Sequence, residues 1–160
     1  MKGINAIFAV LAASLCCISC CEFITDDNVL FQYPWQLNQV ITYNQAGIQT
    51  GLTEYPAETE ILEFSNLGVW TYSSESRFSY QNGAWATEVI PSKGNSFTLT
   101  LTGYGPSHLF IEEEHSGEDY KTSISDDGSE MYILHKHTDS VEFQVYCFSQ
   151  VTHPLELTVK

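Results

Sequence analysis

Basic residues are scarce in this chain. It has 6 lysines and arginines against 20 aspartates and glutamates, which gives a formal net charge of −14 at pH 7. A surface of this sign repels nucleic-acid backbones and the head groups of anionic lipids. We therefore expect no nucleic-acid partner, and we interpret the acidic excess as a property that keeps the protein soluble.

Cysteine is also scarce outside the N-terminal segment. Four of the five cysteines lie within the first 21 residues, and only Cys147 remains for the rest of the chain. That part of the sequence therefore has no internal disulfide. Alternation places Cys147 on one strand face with Val141, Phe143 and Val145, which predicts a small core residue rather than a reactive thiol.

Signatures of catalysis are missing from the sequence. It has no Gly-x-Ser-x-Gly elbow, no His-Glu-x-x-His and no glycine-rich phosphate loop, and it has no Cys-x-x-Cys pair beyond the cysteine-rich N-terminal segment. His135 and His137 share a strand face, but a metal site would need a third ligand such as His108 or His115. The acidic run 112–114 suits acid–base chemistry or calcium, yet exposed charge at a strand end explains it as well. We expect no catalytic residue, no bound metal ion and no cofactor, and we expect that the protein is not an enzyme.

The first 21 residues have the order of an export signal. Lys2 precedes the apolar run 4–15, and Ser19 stands before Cys20 and Cys21. Residues 1–20 resemble a bacterial lipoprotein signal peptide, which implies that Cys20 or Cys21 carries a lipid and that a membrane is a partner. Secretion after cleavage behind Ser19 is an alternative, and an uncleaved membrane anchor is another.

Acidic residues follow this segment closely, at Glu22, Asp26 and Asp27. They are similar to the surface-export signals of Bacteroidetes-type lipoproteins. This resemblance implies a lipoprotein of the cell envelope, held at the outer membrane and exposed at the surface. Residues 22–34 are interpreted as a short tether, and residues 35–160 as a single domain.

The domain has the pattern of an all-β protein. Threonine, serine, tyrosine and valine are abundant, apolar residues lack helical spacing, and segments such as 96–102 alternate strictly between apolar and polar positions. Eight to eleven strands are expected, and segment 44–58 is expected to be a loop. The predicted strands are 35–43, 59–64, 68–73, 77–81, 84–90, 96–102, 107–114, 119–125, 130–136, 140–148 and 155–159.

Turn residues separate these strands. Asn82-Gly83 predicts a two-residue hairpin that sets Tyr80 opposite Trp85. Further turns are expected at 65–68, 92–95, 116–118 and 126–128. The short connections favour an antiparallel meander, which must either close into a barrel or split into two packed sheets.

Several short patterns resemble those of small lipocalin-like lipoproteins of the Bacteroidetes type. They are Trp35-Gln36-Leu37, Leu62-Glu63-Phe64, Gly83-Ala84-Trp85, and Gly94-Asn95 leading into 97–100. The resemblance implies a lipocalin-like antiparallel barrel. An immunoglobulin-like β-sandwich is the alternative. Strand 130–136 is apolar on both faces, Met131 and Ile133 against Tyr132 and Leu134, which favours a sheet covered on both sides.

Aromatic residues are the candidate functional residues. They form 13% of the chain, and five of them lie on predicted strands: Trp35, Trp70, Tyr72, Tyr80 and Trp85. In a barrel, inward aromatic residues line a cavity for a small apolar or amphipathic ligand, or they fill the core. On a sandwich, outward aromatic residues would bind glycans or a partner protein. We expect a non-enzymatic binding protein with a ligand inside the barrel, the surface module being the alternative.

Overall fold

The computed structural model describes residues 28–75, 79–104, 115–136 and 141–152. Within these ranges the chain forms one short 3-10 helix and nine strands. They are η1 (Val29–Phe31), β1 (Trp35–Asn44), β2 (Gln49–Glu54), β3 (Glu60–Phe64), β4 (Val69–Ser74), β5 (Ser79–Thr87), β6 (Ser96–Tyr104), β7 (His115–Ile124), β8 (Glu130–His135) and β9 (Glu142–Gln150).

The strands form one antiparallel sheet that closes on itself. Their order is β2-β1-β3-β4-β5-β6-β7-β8-β9, and β1 also pairs with β9 from Trp35↔Gln150 to Asn44↔Glu142. Strand β1 and strands β3 to β9 therefore make an eight-stranded barrel, with β2 as an additional strand. The predicted all-β, lipocalin-like barrel is confirmed, and the sandwich alternative is wrong because the β1–β9 ladder joins the two ends of the sheet.

Strand β2 lies in the segment that was expected to be a loop, so the interpretation of 44–58 is wrong. Its residues pair with Gln39–Tyr43, while Trp35 and Gln36 at the beginning of β1 pair with β3. Strands β2 and β3 thus pair with the same edge of β1, β3 at its beginning and β2 along the rest. Most β2 side chains are exposed. Pairing with β1 rather than burial of an apolar face holds this segment extended, and an apolar-periodicity argument therefore misses it.

The predicted Asn82-Gly83 hairpin is also wrong. Strand β5 runs through both residues, and Gly83 pairs with Trp70 on β4 and with Gly103 on β6. A Cβ atom at Gly83 would lie 1.7 Å from the Thr102 carbonyl oxygen. The glycine is therefore needed for the close approach of neighbouring backbone and not for a positive φ angle.

Of the other predicted turns, three are confirmed and one is wrong. Turns at 65–68, 92–95 and 126–128 are confirmed, with Gly68, Gly94 and Gly128 at φ 76°, 66° and 79°. The turn expected at 116–118 is wrong, because β7 passes through it. Predicted strands 107–114 and 155–159 lie outside the described residues.

The helix η1 caps one end of the barrel, called here the capped end. Val29 and Leu30 belong to the hydrophobic core, and the Leu30 carbonyl accepts a 3.0 Å hydrogen bond from Trp35 Nε1. Val29 N donates to the Pro91 carbonyl in the β5–β6 loop at 3.1 Å. The folded domain thus includes residues 28–34, which the sequence assigned to the tether. The opposite end, where β1, β4, β6 and β8 finish, is called the far end.

Cys147 faces away from the barrel interior. Its neighbours Tyr146 and Phe148 belong to the core cluster, whereas Cys147 pairs with Gln39 and Tyr132 on the outer face. Alternation correctly places Phe143, Val145 and Cys147 on one strand face, but this face is the outer side of the barrel. A β-bulge in β1 between Leu37 and Gln39 accompanies this register. Cys147 is nevertheless buried, and this burial raises the pKa of its thiol.

Replacing Gly83 by alanine is expected to destabilise the barrel by about 2–3 kcal/mol, because the added methyl group collides with backbone that cannot move freely. Gly51→Ala on β2 is the matched control. Its Cβ would lie 3.4 Å from Thr42, an ordinary contact, and we expect a change within about 0.5 kcal/mol. Urea unfolding followed by tryptophan fluorescence measures both. Equal stability of the two variants would contradict the close approach at Gly83.

The β7–β8 turn predicts a pH effect at Asp127. Its Oδ1 accepts hydrogen bonds from Ser125 Oγ at 2.6 Å, Ser129 Oγ at 2.8 Å and Ser129 N at 2.9 Å. These donors lower the pKa of Asp127 from 3.8 to about 2. Because the folded pKa is the lower one, the stabilisation is complete above the unfolded pKa and is lost as the pH falls toward 2. A carboxyl ¹³C titration by NMR that placed the Asp127 midpoint near 3.8 would contradict this.

Candidate functional site

The interior of the barrel changes from apolar at the capped end to polar toward the far end. On β3, the inward positions run from Phe64 through Leu62 to Glu60 as the strand is followed back to the far end. On β8 they run from Met131 through Ile133 to His135. Strands β3 and β8 do not neighbour each other in the sheet, so the gradient belongs to the barrel as a whole.

The first polar cluster lies on β3, β4 and β5. Glu60 has no exposed surface and accepts hydrogen bonds from the Tyr72 hydroxyl and, at 2.7 Å, from Ser74 Oγ. Gln81 is buried beside Tyr72 in the sheet register. A buried carboxylate is costly unless donors satisfy it, and these hydroxyl groups provide them.

The second polar cluster lies on β7, β8 and β9. The ring of His135 packs against Tyr120 at 5.4 Å and against Tyr146 at 6.2 Å between centroids. The Tyr146 hydroxyl donates to Gln144 Oε1 at 2.9 Å. This cluster presents imidazole, phenol and amide groups inside the barrel. It can hydrogen-bond the polar part of a small molecule.

The five aromatic residues predicted as ligand contacts occupy three different settings. Trp35, Trp70 and Tyr72 have no exposed surface, and the Trp70 indole donates to the Thr102 carbonyl at 3.1 Å. A side chain with zero exposure touches no space that could hold even a water molecule. These three residues therefore fill the core in this structure.

Trp85 and Tyr80 differ from those three. Trp85 is half-buried, packs edge-on to Phe64 at 5.6 Å and donates to the Ser65 carbonyl at 3.1 Å. Tyr80 lies on the opposite face of β5 and is 61% exposed. The structure thus gathers four of the five aromatic residues on the inner side of the barrel and leaves Tyr80 on the outer side.

The polar interior was missed by the sequence interpretation. The signal was present, because Glu60 occupies the inward phase of the alternation that contains Leu62 and Phe64. Ser74 likewise continues the phase of Trp70 and Tyr72. The predicted strand 59–64 contains Glu60, but the sequence interpretation assigns no buried position to its side chain.

An outer groove of about 530 Å³ lies on the other side of the sheet. Tyr132, Leu134 and Val145 contribute apolar side chains to its lining, and Lys121 and Glu88 contribute charged ones. The apolar outer face of 130–136 was the sequence signal for it. Next to Val145 in the sheet, Ile41 also faces outward, and beyond it Tyr43 stacks on Phe143 at 5.3 Å between centroids.

Several predicted residues lie outside the described ranges. They include the lipid-anchor cysteines Cys20 and Cys21, the acidic run 112–114, His108 and His137. Among the described residues, no three histidine, cysteine or acidic side chains are close enough to hold a metal ion. No helix in the described part of the chain is long and apolar enough to cross a membrane.

Comparison of the chain with known protein families, curated proteins and solved structures finds no match.

The buried carboxylate gives a stability prediction. Tyr72→Phe removes one donor from Glu60 inside the barrel and is expected to cost about 1–3 kcal/mol. Tyr132→Phe is the matched control, because the Tyr132 hydroxyl donates to the exposed carboxylate of Glu130. Water can replace that donor, so we expect a change within about 0.5 kcal/mol. Equal losses in urea unfolding would show that burial of Glu60 has no energetic consequence.

Proposed function

We propose that this chain is a non-enzymatic lipoprotein of the cell envelope that binds a small apolar or amphipathic ligand inside its barrel. The observation that carries the proposal is the interior itself, which is capped and apolar at one end and polar at the other. An eight-stranded barrel is wide enough to hold one small ligand when side chains do not fill it. A graded interior suits a molecule with an apolar body and a polar group.

The packing restricts where the ligand binds. Trp35 and Trp70 fill the capped half, so the ligand lies nearer the far end. There Thr42 on β1 and Gln144 on β9 are a cross-strand pair on the inner side, and both are half-buried. We propose that the ligand enters beside this pair. Its polar group then meets Tyr146 and His135, and its apolar part turns toward Val40 and the aromatic core.

The envelope location rests on the N-terminal segment. A lipid on Cys20 or Cys21 would attach a folded domain to a membrane without embedding it. The acidic residues at positions 22, 26 and 27 support export to the outer membrane and the cell surface. Secretion without a lipid is the alternative, and the mass of the processed N-terminus decides between the two.

The outer groove supports a second candidate function. Tyr132, Leu134 and Val145 form an apolar strip on a strongly acidic protein. Aromatic and aliphatic side chains of this kind bind partner proteins at surfaces. In this alternative the barrel interior is only a core, and the outside of β8 and β9 is the binding surface.

Native mass spectrometry of the full chain, processed in a bacterial host and purified gently, tests the interior site. We expect an added mass that organic extraction removes, beyond any covalent lipid. Gln144→Trp fills the proposed entrance and is expected to remove most of this mass. Gln39→Trp is the matched control, because Gln39 is half-buried on the outer face of the neighbouring strand, and it should retain the ligand.

Two results would contradict the interior site. A bare polypeptide mass in the unmodified chain would favour the outer groove. Equal loss of the added mass in both variants would place the ligand elsewhere on the protein. Thermal melting of each variant separates loss of binding from loss of folding.

A further inference from the structure

Five of the nine large apolar side chains that are exposed among the described residues lie at the capped end of the barrel. Leu67 is 85% exposed at the β3–β4 turn, and Val69 follows it at the beginning of β4. Val89 and Ile90 are about half-exposed in the β5–β6 loop, and Tyr33 is exposed just before β1. We call these five residues the apolar rim. Isolated exposed apolar residues are ordinary, but a set at one end of a barrel indicates a contact surface.

The turns that carry the apolar rim are well held. In the β3–β4 turn, the Ser65 carbonyl accepts from Gly68 N at 3.2 Å and from Trp85 Nε1 at 3.1 Å. In the β5–β6 loop, Asn95 Nδ2 donates to the Ile90 carbonyl at 3.3 Å. The exposed side chains therefore project from fixed backbone, and contact with a flat surface would cost little ordering entropy.

The polypeptide enters the fold at this same end. Asn28 caps η1, and only residues 22–27 separate it from Cys21. Six residues span at most about 22 Å even when fully extended. A lipid on Cys20 or Cys21 would therefore bring the apolar rim to the surface of the bilayer, and this step rests on the proposed function.

Electrostatic attraction does not hold the apolar rim to lipid, because acidic residues lie near it. Glu88, which precedes Val89, turns its carboxylate along the outside of β6, where Thr98 N and Thr98 Oγ1 donate to it at 3.0 Å each. The acidic residues Asp126 and Asp127 lie in the β7–β8 turn at the same end of the barrel, where Gly94 N of the β5–β6 loop donates to the Ser125 carbonyl at 3.1 Å. With a net charge of −14, attraction to anionic head groups cannot drive the contact.

We propose that the apolar rim rests in the interfacial region of a lipid bilayer. The contact holds the barrel with its capped end toward the membrane and its far end in water. Apolar contact drives it, so it forms on uncharged lipids and resists salt. The entrance proposed for the ligand then faces away from the membrane.

Quenching of tryptophan emission by brominated lipids tests this orientation. The full processed chain is reconstituted into vesicles of uncharged phosphatidylcholine with bromine on the acyl chains. Leu67→Trp adds an indole at the apolar rim. Ile48→Trp is the matched control, because Ile48 is 62% exposed in a tight β1–β2 turn at the far end. We expect the added emission of Leu67→Trp to be quenched in low and high salt, and that of Ile48→Trp to persist.

The other outcomes overturn the proposal. Equal quenching at both positions, or none at Leu67→Trp, would exclude docking through the apolar rim. A shift of the Leu67→Trp emission that depends on protein concentration and not on lipid would assign the rim to a second copy of this chain. The mass of the same sample reports the covalent lipid separately. A lipidated chain without quenching refutes the docking alone, and a chain without lipid refutes the anchor.

Discussion

The ladder between β1 and β9 is the interaction on which the rest of the structure depends. It runs along the whole of β1 and joins the first barrel strand to the last described one. The sheet therefore closes into a barrel with an interior. Without it, β9 would be an edge strand, and Tyr146 and Phe148 would lose their core contacts with β1. The same ladder brings Thr42 and Gln144 together, and these two residues define the entrance proposed for the ligand.

Burial divides the interior into two parts with different physical roles. At the capped end, Trp35 and Trp70 contact no free space, and their packing stabilises the barrel rather than leaving a cavity. Toward the far end, Glu60 and His135 are buried as well, and each requires specific neighbours. Polar groups in these positions cost stability unless they are satisfied, and the hydroxyl groups of Tyr72 and Ser74 satisfy Glu60.

Much of the fold could be predicted from the sequence, and the failures have physical causes. Strict alternation of apolar and polar residues located β6. Glycine among turn-forming residues located the turns at Gly68 and Gly128, where the structure shows positive φ angles. Alternation failed for β2, whose backbone pairs with β1 but whose side chains are mostly exposed. The hairpin predicted from Asn82-Gly83 is wrong, because glycine is required both in tight turns and where two backbones approach closely. The polar interior around Glu60 was not predicted, because only the closed sheet shows that this inward carboxylate contacts Tyr72 and Ser74.

A crystal structure of the processed chain, purified from a bacterial envelope without lipid extraction, tests the central claim most directly. That claim is that the polar half of the interior is a binding site. We predict density for a small molecule inside the barrel, bordered by Thr42, Gln144 and Tyr146, above a core of tryptophans that stays packed. Density confined to the outer groove at Tyr132 and Leu134, or an interior filled only by side chains, would contradict the account.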